Sequence, residues 1–280
     1  MTNVLIPTDF SENAWNAMSY GLQFFKAEPT NFYLLHVSLS EKKESGSEDE
    51  TVPNGIIFDM KDTIGIKDKL LDVKKKIEGS FSNTNHRFYA LQEHSFFIEG
   101  IKRSVAEKRI DFILMGTKGA SGLKEVTIGS RTGEVITRVK CPTLIIPEKA
   151  NFVIPKEIVF PTDFNSYYKN KILLTLAEIM AISESALRVF HVTPNERELS
   201  DSQQENKIFL EDFLEDKTHS FHFQAGQNIE VALPEFIENN KINMIAMVAK
   251  NINFFQRLLF KPSIAKISYH TDTPFLVLHE

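Results

Sequence analysis

The sequence predicts an α/β fold: two tandem open, parallel, five-stranded units, each flanked by helices. Two observations carry this. The chain repeats itself: Val4-Leu5-Ile6-Pro7-Thr8-Asp9-Phe10 returns as Ile158-Val159-Phe160-Pro161-Thr162-Asp163-Phe164, Leu34-Leu35-His36-Val37 as Val189-Phe190-His191-Val192, and Cys141-Pro142-Thr143-Leu144-Ile145-Ile146 as Thr273-Pro274-Phe275-Leu276-Val277-Leu278. Within each copy, short apolar runs alternate with longer amphipathic ones, the pattern of βαβ units around a parallel sheet. A length of 280 residues agrees with two domains at roughly 150 residues each. The offset between matched landmarks falls from 154 to 132, so the second copy is about 22 residues shorter. The expected boundaries are a first domain over 1–148, a linker over 149–156 around Ile154-Pro155-Lys156, and a second, degenerate domain over 157–280.

In the first copy, strands are expected near 3–7, 31–37, 85–91, 111–116 and 142–147, and helices near 12–27, 60–79, 95–109 and 130–140. Ser11, just before Glu12, suits the N-cap of the first helix. Phe112-Ile113-Leu114-Met115 and Leu144-Ile145-Ile146 are continuous apolar runs, as strands covered on both faces require. In the second copy, strands are expected near 157–161, 186–192, 219–224, 242–248 and 274–278, and helices near 167–184, 202–217, 229–240 and 263–271. Residues 38–58 are charged, Ser/Gly-rich and weakly apolar. They read as a solvated insertion after the second strand or, alternatively, as a lid.

Composition narrows the function. The net charge of −5 and a pI near 6.0 give no electrostatic footprint for nucleic acid. The single cysteine, Cys141, rules out an intrachain disulfide framework and fits a reducing compartment. MTNVLIPTDF has no charged n-region, and no window reaches a membrane span. The expectation is a cytoplasmic, soluble protein.

The chemistry concentrates in one loop. Gly116 and Gly119, then Gly129 and Ser130, stand between an apolar strand and a helix start. Glycine removes Cβ atoms where a ligand approaches the backbone, and the first free N–H groups of a helix face an anion. Arg131 and Lys118 offer positive charge. The loop has two readings, an anion cradle or a glycine-rich turn without a ligand. It is neither GxxxxGK[ST] nor GxGxxG, so it is not a Walker A loop, and a dinucleotide enzyme is disfavoured. Asp9 ends the first strand, at the carboxyl edge where open α/β sheets collect ligands. It either accepts hydrogen bonds from a base or sugar or caps a turn, and its twin Asp163 favours a structural share. His36 and His191 close their strands and read as structural, Cys141 as a small packed side chain, and Trp15 as packed on the sheet. His219 and His222, three apart on a strand, point to opposite faces and do not make a metal site.

The run VLIPTDFS, LLHV at the second strand, and G-x2-G-x9-G-S before CPTLIIP resemble the universal stress protein family over essentially the whole chain, as two tandem domains. The resemblance implies an adenine-nucleotide α-hydrolase-like fold with strand order 3-2-1-4-5. It implies binding of ATP or AMP, with a Mg2+ or Mn2+ ion in some members. Pro7, Thr8 and Asp9 would lie near base and ribose, and Val37 would meet adenine through its backbone. Gly116, Gly119, Gly129 and Ser130 would hold ribose and phosphates, with Arg131 and Thr132 adjoining. Lys118 stands where the family varies.

The second copy departs from the pattern. Counting without gaps maps Gly116, Gly119, Gly129 and Ser130 onto Val248, Asn251, Lys261 and Pro262. Pro262 has no N–H to give a phosphate. Phe254, Phe255, Leu258, Leu259 and Phe260 make that loop apolar, for its own core or for an interface. The leading expectation is therefore a non-catalytic stress-response protein that binds nucleotide only in its first domain. The alternatives are a nucleotide-independent interaction module and a slow ATP hydrolase, although no residue presents itself to orient water. The resemblance, in which subunits of single-domain members pair through their final strands, implies an internal pseudo-dimer through 142–147 and 274–278; whether two chains then form a homodimer is not visible in the sequence.

Overall fold

The computed structural model describes residues 1–38, 60–81, 83–117, 130–165, 168, 170–193, 198–225, 228–249 and 272–279. The first half runs β1 (Thr2–Pro7), α1 (Glu12–Phe24), β2 (Thr30–Ser38), α2 (Met60–Ser80), β3 (His86–His94), α3 (Phe97–Glu107), β4 (Phe112–Gly116), α4 (Ser130–Arg138) and β5 (Thr143–Ile146). The second runs β6 (Glu157–Pro161), α5 (Asn170–Ser183), β7 (Ala186–Thr193), α6 (Asp201–Leu214), β8 (His219–Ala225), α7 (Ile229–Asn239), β9 (Met244–Val248) and β10 (Phe275–Leu278). The helix expected over 263–271 and nearly all of the 38–58 insertion fall outside the described residues.

Local chemistry sets the element ends. Ser11 caps α1, its hydroxyl accepting from the Ala14 N–H at 3.2 Å, with Glu12 favourably placed in the first turn. Ser200 and Gln203 cap α6 reciprocally. Gly21 lets α1 lie on β4, since a Cβ there would meet Leu114 Cδ2 at 2.2 Å. The main segments of β4, β5, β9 and β10 are buried residue after residue, as their unbroken apolar runs require.

Each half has the strand order 3-2-1-4-5, and the two sets form one ten-stranded sheet, β3-β2-β1-β4-β5-β10-β9-β6-β7-β8. All pairings within a half are parallel; only β5 and β10 run antiparallel, with Phe275 opposite Ile145, Leu276 opposite Leu144 and Val277 opposite Thr143. The five-stranded sheets expected from sequence thus share an edge, because a C2-like relation brings like strands together head to tail. On one face a single apolar cluster runs through the seam, from Ile6, Leu34 and Leu114 by way of Leu144 and Leu276 to Phe160 and Val189, roofed by α1, α2, α5 and α6. On the other face α3 and α4 cover the first half through Ile101 and Val135. There α7 covers the second half, and Ile136 of α4 joins its cluster.

His279 lies just past β10 and is buried, its Nε2 without a hydrogen-bond partner among the described residues. Burial, then the charges of Lys171 and Lys140, hold its pKa down at about 4 from an ordinary 6.5. Between those values the unfolded chain takes up a proton that the folded chain refuses. This contribution to stability is whole above pH 6.5 and shrinks as the pH falls towards 4. The urea midpoint of the native chain is therefore expected to drop more between about pH 7 and about pH 4.5 than that of His279→Gln. Equal drops would show that His279 titrates normally.

Candidate functional site

β1 lies between β2 and β4, so the carboxyl ends of these three strands meet where the sheet order reverses. The same turn follows the first strand of each half. Thr8 Oγ1 accepts from the Phe10 N–H at 3.1 Å, and Thr162 Oγ1 from the Phe164 N–H at 2.9 Å. Asp9 Oδ1 accepts from the Ser11 N–H at 3.1 Å, and Asp163 Oδ1 from the Asn165 N–H at 3.0 Å. Phe10 and Phe164 sit in the left-handed region, at φ 64° and 53°. His36 Nδ1 lies 2.8 Å from the Thr8 carbonyl and His191 Nδ1 2.8 Å from that of Thr162. A carbonyl only accepts, so both imidazoles carry their proton on Nδ1. Phe10 stacks on His36 at 4.9 Å, and Phe164 lies tilted on His191 at 5.1 Å. The imidazole bond and ring contact secure a turn that a bulky residue at positive φ would otherwise disfavour. Asp9 is therefore a turn-former, also accepting from the Ser11 hydroxyl at 2.6 Å.

Of the residues expected at the site, Pro7, Thr8 and Asp9 lie at or just past the end of β1, and Val37 near the end of β2. Gly116 ends β4, and Ser130, Arg131 and Thr132 form the first turn of α4. Thr132 ties two of these elements together, its buried hydroxyl donating to the Gly116 carbonyl at 2.9 Å. Arg131 is exposed, its guanidinium 5.2 Å from the centre of the Phe97 ring on α3. The Val37 side chain is buried in the α3 side of the core. Lys118, Gly119 and Gly129 lie outside the described residues, as do Asn251, Lys261, Pro262 and the apolar residues between 254 and 260.

Gly116 has a structural duty that the sequence did not reveal. A Cβ there would stand 3.1 Å from the Asn13 carbonyl oxygen, so the bare position lets the first turn of α1 approach β4. The Thr117 N–H is also spent, donating to the Ile146 carbonyl at 3.1 Å. Among the described residues, the N–H groups opening α4 are the donors left to face an anion. That donor set, with the Arg131 charge beside it, suits an anionic ligand. Among the described residues no group of three or more His, Cys, Asp or Glu gathers to hold a metal. An open depression of about 560 Å³ runs along the start of α1, beside Ser11, Asn13, Trp15 and Asn16, and reaches Glu148 just past β5. Trp15 also packs against the core, with Lys76 Nζ 3.8 Å from its ring centre. Burial pushes the Cys141 thiol up to about 12, in keeping with a packed, inert side chain.

Among the described residues, the turn after β6 in the second half is more closely packed. Tyr168 hydrogen-bonds Thr162 Oγ1 and packs edge-on against Phe160 at 5.2 Å. Phe164 is fully buried between His191 and Phe221. From α6, Gln203 Nε2 donates to the Asp163 carbonyl and Asn206 Nδ2 to that of Phe164, each at 2.7 Å. Val248 stands where Gly116 does, pairing with Leu278 as Gly116 pairs with Ile146.

An open, doubly wound α/β sheet with a loop at its switch point defines a class of proteins that bind ligands at the carboxyl edge. The profile of the universal stress protein family matches residues 1–147, more than half of the chain, and the chain belongs to that family. It is 27% identical over 158 residues to universal stress protein MJ0577 of Methanocaldococcus jannaschii, covering 52% of this chain and 94% of that protein. Universal stress protein MJ0531 of the same organism is 26% identical over 153 residues, covering 51% and 80%. A solved universal stress protein from Archaeoglobus fulgidus superposes over 99% of this chain and 98% of its own with a TM-score of 0.67 at 18% identity, which shows a shared fold across both halves.

The contact between Gly116 and Asn13 is testable without a ligand. Gly116→Ala is expected to lower the stability of the nucleotide-free chain by about 1 kcal/mol or more, read by urea denaturation, because the opposing atom is helix backbone and yields little. An unchanged midpoint would show that α1 has room to spare.

Proposed function

We propose that this universal stress protein is a non-catalytic binder of an adenine nucleotide, ATP or AMP, and that it holds the nucleotide in its first half alone. The observation that carries the reading is an asymmetry between matching ends of the two halves. In the first, the ends of β1, β2 and β4 meet the opening turn of α4 beside the complete glycine pattern. In the second, Val248 stands in the place of Gly116, and Tyr168 hydrogen-bonds Thr162 beside the first-strand turn. On this reading residues 1–148 form the binding domain, 149–156 the linker, and 157–280 a degenerate domain that serves as scaffold.

The roles follow from position. Pro7, Thr8 and Asp9 border base and ribose, with Asp9 fixed by its turn. Val37 offers backbone groups to the base. Gly116, Gly119, Gly129 and Ser130 border ribose and phosphates, with the α4 N–H groups as donors. Arg131, Lys118 and Thr132 adjoin the phosphates, and Arg131 supplies charge. Mg2+ or Mn2+ would arrive with the polyphosphate. Bound nucleotide would favour whichever conformation or partner complex it fits better, which is a regulatory role in the stress response. A cytoplasmic setting agrees with the lone, buried Cys141. One observation favours a nucleotide-independent module instead: Gly116 already has a packing reason to be glycine.

Calorimetric titration of the full chain with Mg-ATP and with AMP separates these readings. Saturable binding is expected, and Gly119→Val is expected to weaken it by about tenfold or more, a loss of about 1.4 kcal/mol, through steric exclusion. Unchanged affinity in that variant would remove the loop from the site, and absence of binding would leave the interaction module.

A further inference from the structure

A second group of polar side chains lies at the amino end of the second half's strands, away from the carboxyl-end site. Glu157 opens β6, Arg188 is near the start of β7, and Ser220 and His222 lie on the edge strand β8. Arg188 grips Glu157 with two hydrogen bonds, Nε to Oε2 at 2.6 Å and Nη2 to Oε1 at 2.9 Å. Its Nη1 donates to Ser220 Oγ at 2.9 Å. Ser220 Oγ lies 2.7 Å from His222 Nε2, and the His222 ring meets Phe236 of α7 edge-on at 4.9 Å.

The polarity of this chain has a chemical consequence. A guanidinium only donates, so Ser220 Oγ accepts from Arg188. With His222 as the Nδ1–H tautomer, the serine proton has Nε2 as its acceptor. Burial and the Arg188 charge hold the His222 pKa below its usual value, against the opposite pull of Glu157, so the ring is neutral at neutral pH and its Nε2 is free to accept a proton. The Arg188 guanidinium beside Ser220 Oγ favours loss of the serine proton.

The fold does not require this group. The strand registers that pair Arg188 with Ser220 pair Tyr33 with Tyr89 in the first half. There the four positions are Asn3, Tyr33, Tyr89 and Leu91, and the two tyrosines stack at 4.9 Å. That half builds the same strand order without charge or relay. Ser220 and His222 are both partly exposed on the edge strand β8.

We propose that Ser220 is a nucleophile, with His222 as its general base, that takes an acyl or phosphonyl group from a small activated ester. The Oγ–carbon or Oγ–phosphorus bond forms as the bond to the leaving group breaks. The serine proton passes to His222 Nε2 and from there to the departing oxygen.

A fluorophosphonate tests this on the full chain: the Oγ–P bond forms, the P–F bond breaks, fluoride leaves and the proton goes to His222. Peptide mass mapping is expected to find the adduct on Ser220 at a level about tenfold or more above exposed Ser202, and to lose it in Ser220→Ala. His222→Gln is expected to slow labelling by about a hundredfold, the size of a general-base contribution, and to flatten its pH dependence. Arg188→Lys, which loses the fork but keeps the charge, is expected to slow it less. No adduct on Ser220 in the native chain, labelling no faster than at Ser202, or an unchanged rate in His222→Gln overturns the proposal.

Discussion

Backbone pairing between β5 and β10 holds the molecule together as one object. Each strand is four residues long and buried throughout, so neither tolerates water on its faces or on its hydrogen-bonding edge. Left apart, each would be a sheet edge with unpaired N–H and C=O groups. Paired antiparallel, they satisfy each other and place Leu144 against Leu276 in the centre of a shared core. Helices from both halves then roof one apolar layer, and α4, which begins at the candidate site, also lends Ile136 to the second half's core. The helix that opens at the proposed phosphate end therefore touches the body of the other half.

The two halves share one turn and use it differently. Thr, Asp and Phe after the first strand, with a histidine from the second, recur with the same hydrogen bonds and the same left-handed residue. This device belongs to the scaffold, since it persists where the glycines do not. What differs is the space beside it. In the second half Tyr168 hydrogen-bonds Thr162 and packs edge-on against Phe160. The clamp from Gln203 and Asn206 further closes the second half's loop.

Much of this was legible in the sequence because strong periodicity and an internal repeat reinforce one another. Most described strands begin and end within about two residues of the expected places, since Pro7, Pro142, Pro161 and Pro274 mark strand ends and the apolar runs between them are uninterrupted. The pairing of the last strands was implied by the family resemblance together with their repeat. Contacts between distant residues were less visible. Nothing local to Gly116 announces that Asn13, over a hundred residues earlier, presses against it. Phe10 at positive φ runs against residue propensity and is stabilised by a ring from another strand. Arg188, Ser220 and His222 form a chain only through register between strands, which the spacing of His219 and His222 did not suggest. Lys118, Gly119 and Gly129 remain expectations read from the motif.

Occupancy per chain is the most direct measure of the central claim. Native mass spectrometry of the intact chain, saturated with Mg-ATP and gently desolvated, counts bound nucleotides. The account predicts one nucleotide mass per chain. Two per chain would contradict binding in the first half alone, and none would contradict the cradle itself.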